Sequence, residues 1–150
     1  MNYTNRIQGE IKKMTTAPPA GARFEQSPTD IRDWNILITG PEGTPYAGGH
    51  FHLKLKLPDN YPHGAPVASF THKVYHPNVV QDGSLVCSEK LEASKWIPTS
   101  NLHNFVVNVI DLFRTPEPDH ALEEQIAQEY INEKKKYEEN ARKWTRDFAK

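Results

Sequence analysis

The eight residues from His50 to Leu57 read His-Phe-His-Leu-Lys-Leu-Lys-Leu. Phe51, Leu53, Leu55 and Leu57 fall on one side of an extended chain, and His50, His52, Lys54 and Lys56 on the other. Such alternation matches a strand, whose successive side chains point to opposite faces, and it predicts one face on a core and one in water. A sheet with a wet face is as a rule antiparallel, because parallel sheets are covered on both sides. The neighbouring sequence fits. Asp33 to Thr39 reads as a strand with Trp34, Ile36 and Ile38 on one face, broken by Gly40-Pro41-Glu42-Gly43. A short extended stretch near Arg23 to Gln26 precedes it, and a last strand is expected around Val67 to Thr71. Successive strands with short turns predict a four-stranded antiparallel meander sheet rather than alternating βα units.

Helical spacing flanks this block. Tyr3, Ile7, Ile11 and Met14 share one helical face, and Pro18-Pro19 must end that helix. Leu102, Phe105, Val106, Val109, Ile110 and Phe113 mark a second helix, capped by Ser100 or Asn101 and stopped by Thr115-Pro116. Its density of apolar residues predicts the most buried helix of the chain. Leu122, Ile126 and Tyr130 mark a third, and Tyr137, Ala141, Trp144 and Phe148 a fourth, with Glu133-Lys134-Lys135-Lys136 read as exposed surface. The fold class is therefore α+β: an N-terminal helix, the meander sheet, an irregular segment, then three helices, expected as a single domain over residues 1–150.

Composition narrows the function. The chain is 37% hydrophobic with no apolar run near membrane-spanning length, and Met1 to Arg6 lacks the features of a secretory signal, so a cytoplasmic or nuclear location is expected. Lys plus Arg number 18 against 19 Asp plus Glu, which argues against a broad nucleic-acid face and favours protein partners. The lone Cys87 rules out an internal disulfide and any multi-thiolate zinc site, leaving a buried inert thiol or a reactive one. It lies in Tyr75 to Ser100, a stretch with no sustained period that holds Pro77, Gly83 and Pro98. Irregular segments of this length are uncommon and usually functional. A phosphatase-type phosphate loop needs an Arg six residues after the cysteine, where Ala93 stands, and no His sits in a recognisable thiol-protease signature. His50 and His52 have no third ligand beside them and are read as a solvated face, so neither metal nor cofactor is expected.

Several motifs together resemble the ubiquitin-conjugating enzyme family: Gly40-Pro41-Glu42-Gly43-Thr44-Pro45-Tyr46-Ala47-Gly48-Gly49, Tyr61-Pro62, Tyr75-His76-Pro77-Asn78-Val79, Cys87, Trp96-Ile97-Pro98 and Ala141-Arg142-Lys143-Trp144-Thr145. Their order and spacing cover nearly the whole chain. The resemblance implies a catalytic core without appreciable extensions, monomeric and binding no ATP itself. It would accept ubiquitin or a ubiquitin-like protein from an activating enzyme as a thioester on Cys87. It would pass it, usually with a ligase bound, to a substrate lysine or a ligase thiol. The family sets no general base beside the sulfur, because the electrophile arrives already activated.

Other roles follow from the same resemblance. Asn78 either donates to the oxyanion formed as a lysine attacks or holds the loop through backbone hydrogen bonds. His76, beside a proline in a turn, is read as structural. Glu89, Asp119 and His120 are the candidates for orienting and desolvating the incoming lysine, with His120 standing where some members carry a second acid. The competing reading is that Asp119 and His120 cap a helix starting at Ala121. As a hypothesis, His120 makes lysine discharge pH-dependent. Cys87 lies four residues after Gly83, where three is typical, and Trp96 nine after Cys87, where eight is common, which implies two single-residue insertions. Arg6, His63, Pro98 and Thr99 fall at the family's ligase and activating-enzyme contacts. His63 replaces an aromatic Phe that many ligases prefer, and Ala65-Pro66 stands for the usual Pro-Pro. Arg23 occupies a position where some members have a Ser used for noncovalent ubiquitin contact, which a cation would weaken. Two alternatives remain: the same chemistry with another modifier, and a noncatalytic binding module, against which the retention of Cys87 speaks.

Overall fold

The structure, a computed structural model, describes residues 3–150; Met1 and Asn2 of the N-terminal stretch lie outside the described residues. Along the chain come α1 (Thr4–Thr16), β1 (Ala22–Phe24), β2 (Asp33–Thr39), β3 (His50–Lys56), β4 (Val67–Phe70), α2 (Leu102–Arg114), α3 (Glu124–Asn132) and α4 (Lys134–Phe148). Short 3-10 turns lie at Glu89–Leu91, Ala93–Lys95 and Pro118–His120. This is the expected α+β arrangement.

The alternating segment forms β3, which pairs antiparallel with β2 through Ile36↔Leu53 and with β4 through Leu53↔Phe70. The strand order β1-β2-β3-β4 is the predicted meander. Trp34, Ile36, Ile38, Phe51, Leu53 and Leu55 are buried on the inner face, while His50 and Lys56 are exposed on the other. Gly40 ends β2 because the chain folds back over it: a Cβ there would lie 1.8 Å from the Tyr46 carbonyl oxygen.

Apolar burial and capping account for the helices. α1 buries Ile7 and Met14 and ends at Thr16, two residues before the proline pair. In α2 the side chain of Asn101 accepts from the Asn104 N–H at 2.9 Å, so Asn101 rather than Ser100 is the N-cap. Seven residues of α2 are buried, the most of any helix described. Phe113 of α2 meets Phe51 at 4.6 Å, Tyr46 at 4.9 Å and Phe70 at 5.9 Å between ring centroids, which joins the helix to the sheet. Burying each such ring contributes roughly 1.5–3 kcal/mol.

One boundary differs from expectation. No helix starts at Ala121, and Asp119 and His120 cap none. The N–H groups of Leu122 and Glu123 instead donate to the Pro77 carbonyl at 2.8 and 3.1 Å, which holds this stretch in a bend until α3 begins at Glu124. The chain between α2 and α3 is thus tied to the irregular segment.

Candidate active site

Tyr75 to Ser100 contains only isolated bridges and two 3-10 turns, as its lack of periodicity implies. Its start is anchored from the core, because the buried Tyr46 hydroxyl donates to the Tyr75 carbonyl at 2.6 Å and meets the Tyr137 hydroxyl at 2.7 Å. His76 is fully buried. Its Nδ1 accepts the Asn78 N–H at 3.0 Å and its Nε2 donates to the Leu112 carbonyl at 2.7 Å. This pattern holds the neutral imidazole, and burial lowers its pKa to about 4. The geometry agrees with a structural His76.

The chain reaches Cys87 through a tight turn. Gly83 has φ +86°, and a Cβ there would lie 2.3 Å from the His72 carbonyl oxygen. Val86 then bridges to Val79, and the Cys87 N–H donates to the Asn78 carbonyl at 2.8 Å. The longer spacing from Gly83 therefore still brings Cys87 against Asn78. Cys87 is a free, half-buried thiol.

The Asn78 side chain works across to the loop before α3. Its Nδ2 donates to the carbonyls of Glu117 at 2.8 Å and His120 at 3.2 Å, and its Oδ1 accepts the Glu117 N–H at 2.9 Å. Both amide hydrogens are engaged, so the amide as folded holds this loop. Donation to an oxyanion requires release of one carbonyl, and the longer bond to His120 is the weaker.

Sequence reading missed Glu117 and Ser88. Glu117 returns to the cysteine segment, its carboxylate accepting the buried Ser88 hydroxyl at 2.6 Å and the Glu89 N–H at 2.8 Å. The available signal was slight: an acid held between Pro116 and Pro118, and a hydroxyl directly after the cysteine.

Of the three residues read as lysine-orienting, Glu89 is exposed and paired with Lys95 Nζ at 2.8 Å, a hydrogen bond that lowers its pKa. His120 is half-buried with Nδ1 3.6 Å from Glu92 Oε1, and Asp119 is exposed. Asp119 and His120 line one cleft with Glu89 and Glu117. Ligand atoms of Glu89, Glu117 and His120 lie within 4.8 Å of one another. Their oxygens already serve Lys95, Ser88 and the Glu89 N–H, so the trio reads as a polar network rather than a built metal centre.

A second cluster lies at the other end of the segment. The Arg6 guanidinium donates to the carbonyls of Pro98 and Ser100, both at 2.5 Å, and stands 3.4 Å from the Glu10 carboxylate. Trp96 Nε1 donates to the Pro62 carbonyl at 2.7 Å, and exposed His63 meets the Tyr3 hydroxyl at 2.9 Å. Pro98 and Thr99 are exposed, beside an Ile97 that is 56% accessible. The fold thus joins Arg6 to Pro98 and ties the Pro62 and Trp96 segments together. On the outer face of the sheet, Arg23 is exposed opposite Leu37, His50 is exposed, and His52 Nδ1 pairs with Glu25 Oε1 at 2.7 Å. No helix of the described residues is long and apolar enough to cross a membrane.

Comparison with known proteins places this arrangement. The family profile described as ubiquitin-conjugating enzyme matches residues 6–145. Ubiquitin conjugating enzyme E2 B of Dictyostelium discoideum is 30% identical over 145 residues, 97% of each chain. Among solved structures, a protein assigned as a ubiquitin conjugating enzyme from Plasmodium yoelii superimposes with a TM-score of 0.89 at 28% identity, covering 99% of this chain and 96% of its own. The E2 domain of a Toxoplasma gondii ubiquitin conjugating enzyme gives 0.88 at 28% identity, covering 99% of this chain and 100% of its own. A match across nearly the whole length, in sequence and in fold, shows that the chain belongs to the ubiquitin-conjugating enzyme family.

Proposed function

We propose that Cys87 is the residue on which this enzyme carries ubiquitin. The Cys87 thiolate attacks the thioester carbonyl that joins ubiquitin to the activating enzyme, forms a new carbon–sulfur bond and displaces the activating enzyme's thiolate. A substrate amine then attacks the Cys87 thioester, the amide bond forms, the Cys87 thiolate leaves, and the amine gives up its proton to solvent or a nearby acceptor. Discharge to a ligase thiol follows the same exchange without the amine. Family membership implies dealings with ubiquitin, an activating enzyme and ligases. The observation that carries the choice of residue is that the chain's one thiol is partly exposed and hydrogen-bonded at its backbone to Asn78.

Asn78 in this reading chiefly fixes the loop of Glu117 to His120, and Asp119, His120 and Glu89 face the approach of the amine. Arg6, His63, Pro98 and Thr99 form the surface for ligase and activating enzyme. The carrier acts as a monomer in the cytoplasm or nucleus and takes ubiquitin rather than a relative of it, binding no cofactor.

The test mixes the protein with ATP, activating enzyme and each candidate modifier, and looks for an adduct that reductant destroys. Ubiquitin is expected to form one. Cys87→Ser should give a reductant-resistant ester in its place, and a labile adduct persisting in that variant would show that another residue carries the modifier.

A further inference from the structure

With Cys87 as the thioester site, a reading on which this role depends, we propose that Glu117 is a positioning residue for the reaction, the clamp that fixes the chain on the far side of the thiol. Cys87 is held on its near side by its own N–H, which donates to the Asn78 carbonyl at 2.8 Å. On its far side the next two residues are held by one carboxylate: Glu117 accepts the Ser88 hydroxyl at 2.6 Å and the Glu89 N–H at 2.8 Å. The other bonds of Ser88, to the N–H groups of Lys90 and Leu91, stay within its own turn. They shape that turn without attaching it to the loop before α3.

The clamp is itself immobilised. The Asn78 side chain bonds both the N–H and the carbonyl of Glu117, at 2.9 and 2.8 Å. Pro116 and Pro118 flank it, and a following proline restricts the backbone of the residue before it. The hydrogen bonds therefore close a ring: Cys87 to Asn78 by backbone, Asn78 to Glu117 by side chain, and Glu117 back to Ser88 and Glu89 by carboxylate. Cys87 is the residue that the ring encloses. Thioester transfer without an adjacent base depends on where the sulfur sits relative to the incoming amine, and a displacement of about 1 Å can cost roughly a hundredfold in rate. Removing the carboxylate leaves the near side of Cys87 bonded and frees the far side.

The bridge needs two arms more than it needs a charge. Glutamine at 117 can accept the Glu89 N–H at Oε1 and donate through Nε2 to the Ser88 oxygen, which preserves both attachments with one reversed. Alanine preserves neither. The role is thereby separable from a general effect of negative charge near the amine, which glutamine would abolish.

Wild type, Glu117→Gln, Glu117→Ala, Ser88→Ala and the double alanine variant are each charged with ubiquitin by activating enzyme and ATP. Discharge is then followed in a single turnover against increasing free lysine. Glu117→Ala is expected to lower the maximal discharge rate roughly tenfold to a hundredfold, with the half-saturating lysine concentration unchanged. Glu117→Gln should stay within about threefold of wild type, and Ser88→Ala should fall between, since one arm remains. The double variant should be no slower than Glu117→Ala alone, because both substitutions open the same bridge. A wild-type maximal rate in Glu117→Ala, a change confined to the half-saturating concentration, or a glutamine variant as slow as alanine each overturns the proposal. Should Glu117→Ala fail to fold, Ser88→Ala decides alone, and a maximal rate equal to wild type overturns it. Absence of any reductant-labile adduct at Cys87 in wild type brings down the thioester reading together with this one, whereas normal charging with unchanged discharge removes only the role of Glu117.

Discussion

On the inner face of the sheet, β2 and β3 bury Trp34, Ile36, Ile38, Phe51, Leu53 and Leu55, each at most 1% accessible. Around Cys87 the buried side chains are of another kind. Three of the four buried polar residues among those described, His76, Asn78 and Ser88, lie in the irregular segment. Apolar burial is non-directional and scales with area, so it supports a fold without specifying where any one atom must stand. Hydrogen bonds are directional and short-ranged, so a loop held by them has its atoms placed individually. The sheet supplies stability, and the polar ring around Cys87 supplies position.

The sharpest way to separate these contributions is to weaken the sheet alone. Phe51 contacts Phe113, Tyr46 and Phe70, so Phe51→Ala removes the ring that joins β3 to α2. It is expected to lower unfolding stability by about 3–5 kcal/mol, read from the denaturant midpoint. Below its melting temperature the variant should still charge and discharge near the wild-type rate. A variant that stays folded but discharges slowly would show that sheet packing also sets the position of the thiol.

The converse test loads the polar region. His76 is held neutral, with burial lowering its pKa to about 4 from an ordinary value near 6.5. A depressed pKa means that the unfolded chain binds the proton more readily, so stability is fully present above about pH 6.5 and is lost as pH falls toward 4. Over that window His76 should cost the fold about 3 kcal/mol. Half-buried His72, whose pKa burial also lowers, adds to the loss in the same direction. Denaturant unfolding of wild type and His76→Asn across this range checks the point. The variant should be weaker at neutral pH and show a shallower acid slope, and equal slopes would refute the assignment.

The same contrast explains what the sequence could reveal. Phe51, Leu53 and Leu55 repeat at the period of a strand, and the residues of α2 at the period of a helix, so both were legible from spacing. Cys87 stood out in the sequence as the one thiol, in an aperiodic stretch. Glu117 was not, because its partners Ser88 and Asn78 lie far away in sequence and hydrogen bonds between loops leave no period. The bend from Ala121 to Glu123 was hidden for the same reason: the apolar spacing of Leu122 and Ile126 suggested a helical turn, and the Pro77 carbonyl took the N–H groups.

The smallest expected effect concerns His120, beside the path proposed for the incoming amine. Its carbonyl is bound by Asn78, while its imidazole stands 3.6 Å from the Glu92 carboxylate and lines a cleft with Glu89, Glu117 and Asp119. An imidazole offers no negative charge to a positively charged lysine, whereas an aspartate at this place does. Lysine discharge from His120→Asp should therefore exceed that of wild type by roughly threefold, a modest change of the kind expected from one partly exposed charge. Discharge rates equal to wild type would mean that the charge at this position has no part in admitting the amine. Position would then be the whole contribution of this loop to the chemistry, delivered through the backbone that Asn78 grips.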